Sequence, residues 1–268
     1  MGLLTVSEGR DVYFEDHAGP GLPVLLIHGW GMSCRVWDST LVALERGGHR
    51  VVAFDQRGCG NSDKDFREVS VESSGADAVA VLRHLGIRRA AVNGWSLGGA
   101  VAVEAARRLG PDCAGVILTG GASPRYVQAP DFPHGNPPGS PVESVNALQL
   151  DRANFFDGLT KAVCAIPQSD AMNAWLWSIF MQTSPAADRA LAQLDSLDQR
   201  EAIRALECPL LSIVGGKDVF VAPDIGRYAA KIARRGKLAE FPDCGHAPFI
   251  EDGPRYRQVV LDFLGSLG

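Results

Sequence analysis

The sequence lacks an excess of positive charge and lacks long apolar runs. Its 268 residues carry a formal net charge of −5, so a nucleic acid or an anionic membrane has no electrostatic support as a partner. The N-terminus has no basic stretch followed by a sustained apolar run, and no segment approaches the roughly 18 apolar residues that a membrane helix needs. We therefore expect a cytoplasmic protein that binds neither nucleic acid nor membrane.

The cysteines lack the spacing of a metal site or of a disulfide scaffold. The six are scattered and include no C-x-x-C pair, which favours reduced thiols. Cys244 precedes His246 by two residues, but further Cys or His ligands are missing nearby, so neither a metal pair nor a thiol nucleophile is supported. GWSLGG is not followed by the lysine of a P-loop, and the acidic ribose partner of a dinucleotide fingerprint is missing. We expect no cofactor and no metal.

Short, continuously apolar segments recur along the chain, as in strands that are buried on both faces of a parallel sheet. They are residues 23–28, 50–55, 90–94, 114–120 and 209–216. Helical patterns separate them, notably at 70–87 and 97–110. This alternation predicts an α/β protein whose mostly parallel sheet has helices on both faces. Before it, LLTV and DVYFED, joined by SEGR, predict a hairpin at the sheet edge.

The alternation breaks at residue 123. Six prolines follow within about twenty residues, and such a stretch cannot form a regular element. From about 142 to 205 the pattern is helical without strands. We therefore predict a helical insertion between two strands of the same sheet.

Residues 94–98 read G-x-S-x-G, with a predicted strand before them and a helix after them. A tight strand-to-helix turn forces the serine into a strained conformation, and glycines two residues away on each side remove Cβ atoms that would clash. Ser96 would then stand at the C-terminal edge of the sheet, where open α/β sheets place their sites. The motif predicts Ser96 as a nucleophile.

A serine nucleophile needs a general base, itself oriented by a carboxylate. His246 follows the last predicted strand in a short loop late in the chain, a setting that none of the other five histidines shares. The strand end after 114–120 carries no carboxylate, whereas Asp218 lies on a glycine-rich turn after 209–216 and gives the chain order Ser, Asp, His. Its rivals, none of which directly follows a strand and its glycines, are Asp224, Asp243 and Asp252.

Acyl transfer also needs backbone N–H donors for the oxyanion. Leu97, directly after the nucleophile, should supply one, and Trp30 in the glycine-containing loop HGWGMS should supply the other. Aromatic and apolar residues near these groups and in the insertion are candidates for the substrate pocket; the alternative for those in the insertion is that they form its own core. The candidates are Trp30, Trp95, Phe155, Phe156, Trp175, Trp177, Phe180, Met181, Val219 and Phe220.

Five motifs, HGWG, FDQRGCGNSD, GWSLGG, GGKD and GHAPFIED, together resemble the α/β-hydrolase superfamily, in the right order over nearly the whole chain. The resemblance implies the Ser96, Asp218 and His246 triad and a bracing role for His28. It also implies two domains. These are an α/β-hydrolase core of residues 1–121 and 206–268 and a helical cap (lid) of residues 122–205, inserted before the acid-bearing strand.

The subfamily resemblance is divided. HGWGMSCRVWD, GWSLGG and HAPFIE resemble pimeloyl-ACP methyl ester esterases, whereas FDQRGCGNSD is closer to the cofactor-free haloperoxidase and aryl-esterase group. The first group meets an acidic carrier protein through basic cap residues. Residues 130–205 hold five basic and nine acidic residues, so this cap would repel an acyl carrier protein unless its charges segregate. That partner stays open but is disfavoured.

Three functions stay open. The first is a serine hydrolase, monomeric or homodimeric, that cleaves a small, mostly apolar carboxylic ester through an acyl-enzyme intermediate. The second uses the same triad as a lactonase, a C–C bond hydrolase or a perhydrolase. The third is a ligand-binding receptor on a hydrolase scaffold. A displacement through an aspartate nucleophile is disfavoured, because a serine occupies the turn.

Overall fold

The computed structural model describes residues 1–267. Among them eight strands form one sheet: β1 Gly2–Thr5, β2 Asp11–His17, β3 Gly21–Ile27, β4 His49–Phe54, β5 Ala90–Trp95, β6 Cys113–Thr119, β7 Leu210–Gly215 and β8 Gly236–Phe241. Their order is β1-β2-β4-β3-β5-β6-β7-β8. β2 pairs antiparallel with β1 and with β4, and every other neighbouring pair is parallel. The predicted edge hairpin and mostly parallel sheet are therefore confirmed.

The α-helices of the described chain are α1 Asp38–Arg46, α2 Val71–His84, α3 Leu97–Leu109, α4 Ser140–Leu150, α5 Arg152–Ala162, α6 Asp170–Phe180, α7 Asp188–Gln193, α8 Arg200–Ala205, α9 Pro223–Ile232, α10 Pro248–Glu251 and α11 Gly253–Gly265. The connection through α1 runs from β3 outward to β4, and the one through α2 returns past β3 to β5. Right-handed crossovers of opposite direction place their helices on opposite faces of the sheet. Accordingly α1 packs with α11, and α2 packs with α3.

The central strands carry the core. β5 and β6 are buried along their whole length, because each lies between two parallel neighbours and under helices. This burial explains their largely apolar sequences. No helix within residues 1–267 has the length and apolar composition of a membrane span.

Between the end of β6 and the start of β7 the chain forms α4 to α8, preceded by two isolated bridges, Val127 with Asn136 and Ala129 with Phe132. We call residues 122–205 of this stretch the inserted segment. Its helical part begins at Ser140, two residues before the expected start, with a proline in the first turn of α4. Four breaks divide this helical part into α4 to α8, and the first of them lies between α4 and α5.

Candidate active site

Ser96 occupies the tight turn between β5 and α3. Its φ is 57° and its ψ is −125°, and it is the one non-glycine residue of the described chain with positive φ. A Cβ on Gly94 would lie 2.0 Å from the Gly98 carbonyl oxygen, and a Cβ on Gly98 would lie 2.4 Å from the last carbonyl of β3. The Ser96 carbonyl accepts a hydrogen bond from the Ala122 N–H at 2.8 Å, and the Ser96 N–H donates to the Thr119 carbonyl at 3.1 Å. The surrounding backbone thus holds a conformation that a serine rarely adopts.

His246 and Asp218 form a buried, hydrogen-bonded pair. His246 Nδ1 lies 2.8 Å from Asp218 Oδ2, and the two side chains are 5% and 2% exposed. The other carboxylate oxygen, Oδ1, accepts the N–H groups of Phe220 at 2.8 Å and Val221 at 2.9 Å. Because a carboxylate only accepts, Nδ1 donates the hydrogen bond and Nε2 keeps its lone pair in the neutral ring.

The rival carboxylates have other partners. Asp224 pairs with Arg227 at 2.8 Å, and Asp243 pairs with Lys217 at 3.2 Å. Asp252 accepts the N–H of Arg255 at the start of α11. Among the predicted acids, Asp218 is the one that the structure brings to His246.

Two residues pack closely around this pair. Gly120, directly after β6, has a φ of +48°, and a Cβ there would lie 3.1 Å from the His246 carbonyl oxygen and 3.4 Å from Asp218 Oδ2. The Trp95 indole N–H donates to the same carbonyl at 2.8 Å. From the sequence, the end of β6 was predicted only to carry no carboxylate, and the position of Gly120 beside the pair was missed. The available signal was a glycine directly after a buried strand that neighbours β7.

Trp30 and Leu97 line the same cavity as Ser96 and His246. Leu97 is the first residue of α3, so its N–H is among the amides that have no acceptor within the helix. The positive end of the helix dipole lies at the same place. Trp30 follows Gly29, at which a Cβ would lie only 3.1 Å from Ser96 Cβ. The loop after β3 therefore approaches Ser96 as closely as a glycine permits.

His28 lies beneath this loop, fully buried. Its Nε2 accepts the Gln56 N–H at 2.9 Å, and its Nδ1 lies 2.7 Å from the Gly29 carbonyl oxygen. Burial lowers the pKa of His28, and the accepted hydrogen bond at Nε2 favours the same neutral form. The ring therefore holds two loops together without carrying a charge.

The cavity over Ser96 and His246 has a volume of about 100 Å³. Five of the candidate pocket residues line it, namely Trp30, Trp95, Phe155, Phe180 and Phe220. Eight further lining residues were missed: Gly29, Tyr126, Ser144, Leu159, Val163, Leu191, Leu194 and Val221. Phe155, Leu159 and Val163 follow one another at intervals of four, so they lie on one side of α5, and that periodicity was a usable signal.

The other five candidates lie away from the cavity. They are Phe156, Trp175, Trp177, Met181 and Val219. Phe156 is fully buried and stacks on the Phe180 ring at a centroid distance of 4.9 Å, so it belongs to the core of the inserted segment. Trp175 lines a groove on the outside of the protein. Trp177, Met181 and Val219 are 36%, 38% and 71% exposed, because their side chains point to solvent.

Cys244, two residues before His246, is buried. Burial raises the pKa of its thiol to about 11, which leaves little of the nucleophilic thiolate near neutral pH. Over residues 1–267, no three His, Cys, Asp or Glu side chains are grouped so as to hold a metal ion.

The sheet order and the serine turn at the carboxyl end of β5 define a protein of the α/β-hydrolase fold. Residues 24–259 match the model of the alpha/beta hydrolase family, and the chain belongs to that family. It is 29% identical to a non-heme haloperoxidase of Rhodococcus erythropolis, over 99% of this chain and 100% of the relative. It is 30% identical to a pimeloyl-[acyl-carrier protein] methyl ester esterase of Methylococcus capsulatus, over 94% of this chain and 98% of the relative.

Among solved structures, an esterase from Exiguobacterium antarcticum superposes with a TM-score of 0.93 at 22% identity, over 99% of this chain and 100% of the esterase. At that identity the likeness shows the fold alone. The family match and the two relatives together support a hydrolase.

Proposed function

We propose that the protein is a serine hydrolase that cleaves small, mostly apolar carboxylic esters through an acyl-enzyme intermediate. One observation carries the proposal: Ser96, held at positive φ, shares a cavity with His246, whose Nδ1 lies 2.8 Å from Asp218. A nucleophile, a base and an orienting carboxylate are the parts that serine acyl transfer requires.

In the proposed mechanism Ser96 Oγ attacks the ester carbonyl carbon while His246 Nε2 takes the hydroxyl proton. Asp218 keeps the imidazole oriented and stabilises the imidazolium that forms. The tetrahedral intermediate collapses, the C–O bond breaks, and His246 returns the proton to the departing alcohol. Water then attacks the acyl-enzyme with His246 as base, which releases the carboxylic acid and restores the serine.

The backbone N–H groups of Trp30 and Leu97 are the proposed donors to the oxyanion. Both residues line the cavity beside Ser96. Donors fixed in place before the reaction stabilise the charge that develops on the carbonyl oxygen without reorganising, which is worth about 10²–10³ in kcat per donor. The N-terminus of α3 adds a favourable dipole at the same point.

The cavity favours a small, uncharged acyl group. Its volume of about 100 Å³ is below the roughly 150 Å³ of an apolar cavity that holds a benzene molecule. Among the described residues that line it, none is Asp, Glu, Lys or Arg, so a charged acyl chain would be desolvated without a partner.

We further propose that residues 122–205 form a cap on a core of residues 1–121 and 206–268.

The five basic side chains within 130–205 already have partners within the protein: Arg152 with Asp188, Lys161 with Asp157, Arg189 with the Phe66 carbonyl, Arg200 with Asp198 and Asp131, and Arg204 with Glu201. These contacts disfavour an acyl carrier protein as partner and favour a free small-molecule ester.

Perhydrolysis is a second candidate, favoured by the full-length similarity to a haloperoxidase. Hydrogen peroxide would replace water in the second step, attack the acyl-enzyme carbonyl and leave as a peracid while Ser96 regains its proton. Measuring peracid formed from an acetate ester with increasing peroxide separates this reaction from hydrolysis.

The test of the proposal is hydrolysis of p-nitrophenyl acetate by Ser96→Ala, His246→Ala and Asp218→Asn. We expect kcat to fall by about 10⁴-fold or more in Ser96→Ala. Its thermal unfolding should stay close to that of the wild type, because alanine loses only the hydroxyl. A Ser96→Ala variant that keeps most of its activity would refute the proposal.

A further inference from the structure

Three loops carry the proposed catalytic groups other than Ser96 and Leu97, and each of these loops is hydrogen-bonded to the inserted segment. We name them the oxyanion loop (residues 28–33), the acid loop (residues 216–221) and the histidine loop (residues 242–247). Loops are the most mobile parts of a fold unless they are tied down.

The oxyanion loop is held by Thr183, between α6 and α7. Its hydroxyl donates to the Gly31 carbonyl at 2.6 Å, in a buried position. Gly31 has a φ of +73°, and a Cβ there would lie 2.8 Å from the Phe180 ring. Gly31 directly follows Trp30, so this contact holds the oxyanion loop two peptide groups after the one that carries the proposed oxyanion donor.

The acid loop is held by Asn136, in the proline-rich part of the inserted segment. The Asn136 side-chain N–H donates to the Phe220 carbonyl at 2.8 Å. Phe220 in turn donates its N–H to Asp218 Oδ1 at 2.8 Å. A single residue of the acid loop thus links the inserted segment to the carboxylate.

The histidine loop is held at two points. The His246 N–H donates to the Val163 carbonyl at 2.9 Å, at the end of α5. The Glu251 carboxylate bridges the junction between the histidine loop and the inserted segment by accepting four backbone N–H groups. They belong to Gly245 and Ala247 of the histidine loop (2.8 and 3.3 Å) and to Ala165 and Ile166 of the inserted segment (2.7 and 2.9 Å).

We propose that the inserted segment positions the catalytic groups as well as covering them, with Thr183, Asn136 and Glu251 as positioning residues. The proposal rests on the serine-hydrolase function above. A displacement of about 1 Å can cost about 10²-fold in rate, so loosening one loop lowers kcat. It has less effect on KM, because most of the cavity wall comes from residues outside any one of these loops.

Thr183 offers a matched pair of variants. Thr183→Val keeps the shape and removes the hydroxyl, whereas Thr183→Ser keeps the hydroxyl. With p-nitrophenyl acetate we expect Thr183→Val to lose about tenfold in kcat with KM within about twofold of wild type. Thr183→Ser should recover most of that loss, which a purely volume-filling role for Thr183 would not predict.

Glu251→Gln tests the histidine loop. A glutamine amide has one accepting oxygen, so in either orientation its NH₂ group faces N–H donors on one side of the junction. We expect kcat to fall about tenfold. Glu207→Gln makes the same chemical change at an exposed residue before β7 and should leave kcat unchanged.

Thermal unfolding and near-UV circular dichroism establish that each variant is folded. If Glu251→Gln fails to fold, Asn136→Asp and Thr183→Val test the proposal instead. Asn136→Asp exchanges the hydrogen-bond donor for an acceptor of the same shape, so its kcat should also fall. If the variants are folded and keep wild-type kcat, or show only a higher KM, the positioning proposal is overturned, provided that Ser96→Ala is inactive in the same assay. An active Ser96→Ala instead refutes the proposed function itself.

Discussion

Gly120→Ala perturbs the Asp218–His246 pair without replacing either of its side chains. Gly120 has a φ of +48°, and the new Cβ would lie 3.1 Å from the His246 carbonyl oxygen, 3.3 Å from His246 Nδ1 and 3.4 Å from Asp218 Oδ2. These separations are shorter than most Cβ contacts, so the pair has to move by a few tenths of an ångström.

Two contributions set the magnitude. The left-handed backbone costs an alanine about 1–2 kcal/mol relative to glycine, and crowding in a packed site adds about 1–3 kcal/mol. A shift of the imidazole by a fraction of an ångström should lower kcat about tenfold, because a full ångström can cost about 10²-fold. We therefore expect both a lower melting temperature and a slower enzyme.

Gly86→Ala is the matched control. Gly86 also has a positive φ, +69°, but no atom lies within 4 Å of a Cβ placed there. This variant should show the backbone cost in urea unfolding and wild-type kcat with p-nitrophenyl acetate. Equal kcat and equal stability in the two variants would refute the reasoning, because strain alone would then account for Gly120.

Two further predictions concern stability and specificity. Burial holds the pKa of His28 below its ordinary value of 6.5, so the imidazole binds a proton more readily in the unfolded chain than in the folded one. The free energy of unfolding should therefore fall as the pH drops below 6.5, by up to about 1.4 kcal/mol per pH unit. Urea unfolding at several pH values checks this, and a His28→Gln variant with an unchanged slope would contradict it. Phe155→Ala removes a ring from the cavity wall. The ratio of kcat/KM for p-nitrophenyl hexanoate to that for p-nitrophenyl acetate should therefore rise about tenfold. An unchanged ratio would mean that the acyl group does not contact Phe155.

The sheet and the serine turn were predictable because both follow from local rules. Strands buried on two faces must be largely apolar, and the turn at Ser96 needs glycines at fixed positions. The pairing of Asp218 with His246 was predictable from the order of strand ends, since parallel strands bring their carboxyl ends to one edge of the sheet.

The cavity wall was less predictable, because it depends on how the inserted segment packs. Phe156 and Phe180 are both aromatic residues of helices, yet only Phe180 lines the cavity, since the stack between them covers Phe156. Glu251 lies in the motif GHAPFIED, but nothing in that motif connects it to Ala165, 86 positions away in the chain. Contacts of this kind appear only when the chain is folded.

Covalent labelling of Ser96 tests the central claim most directly. The protein is treated with a fluorophosphonate, which reacts with activated serines, and the modified peptide is identified by mass spectrometry. We predict one adduct, on Ser96, formed in step with the loss of ester hydrolysis and strongly slowed in His246→Ala. Loss of hydrolysis with Ser96 unmodified, or full labelling of Ser96 with hydrolysis intact, would contradict the account.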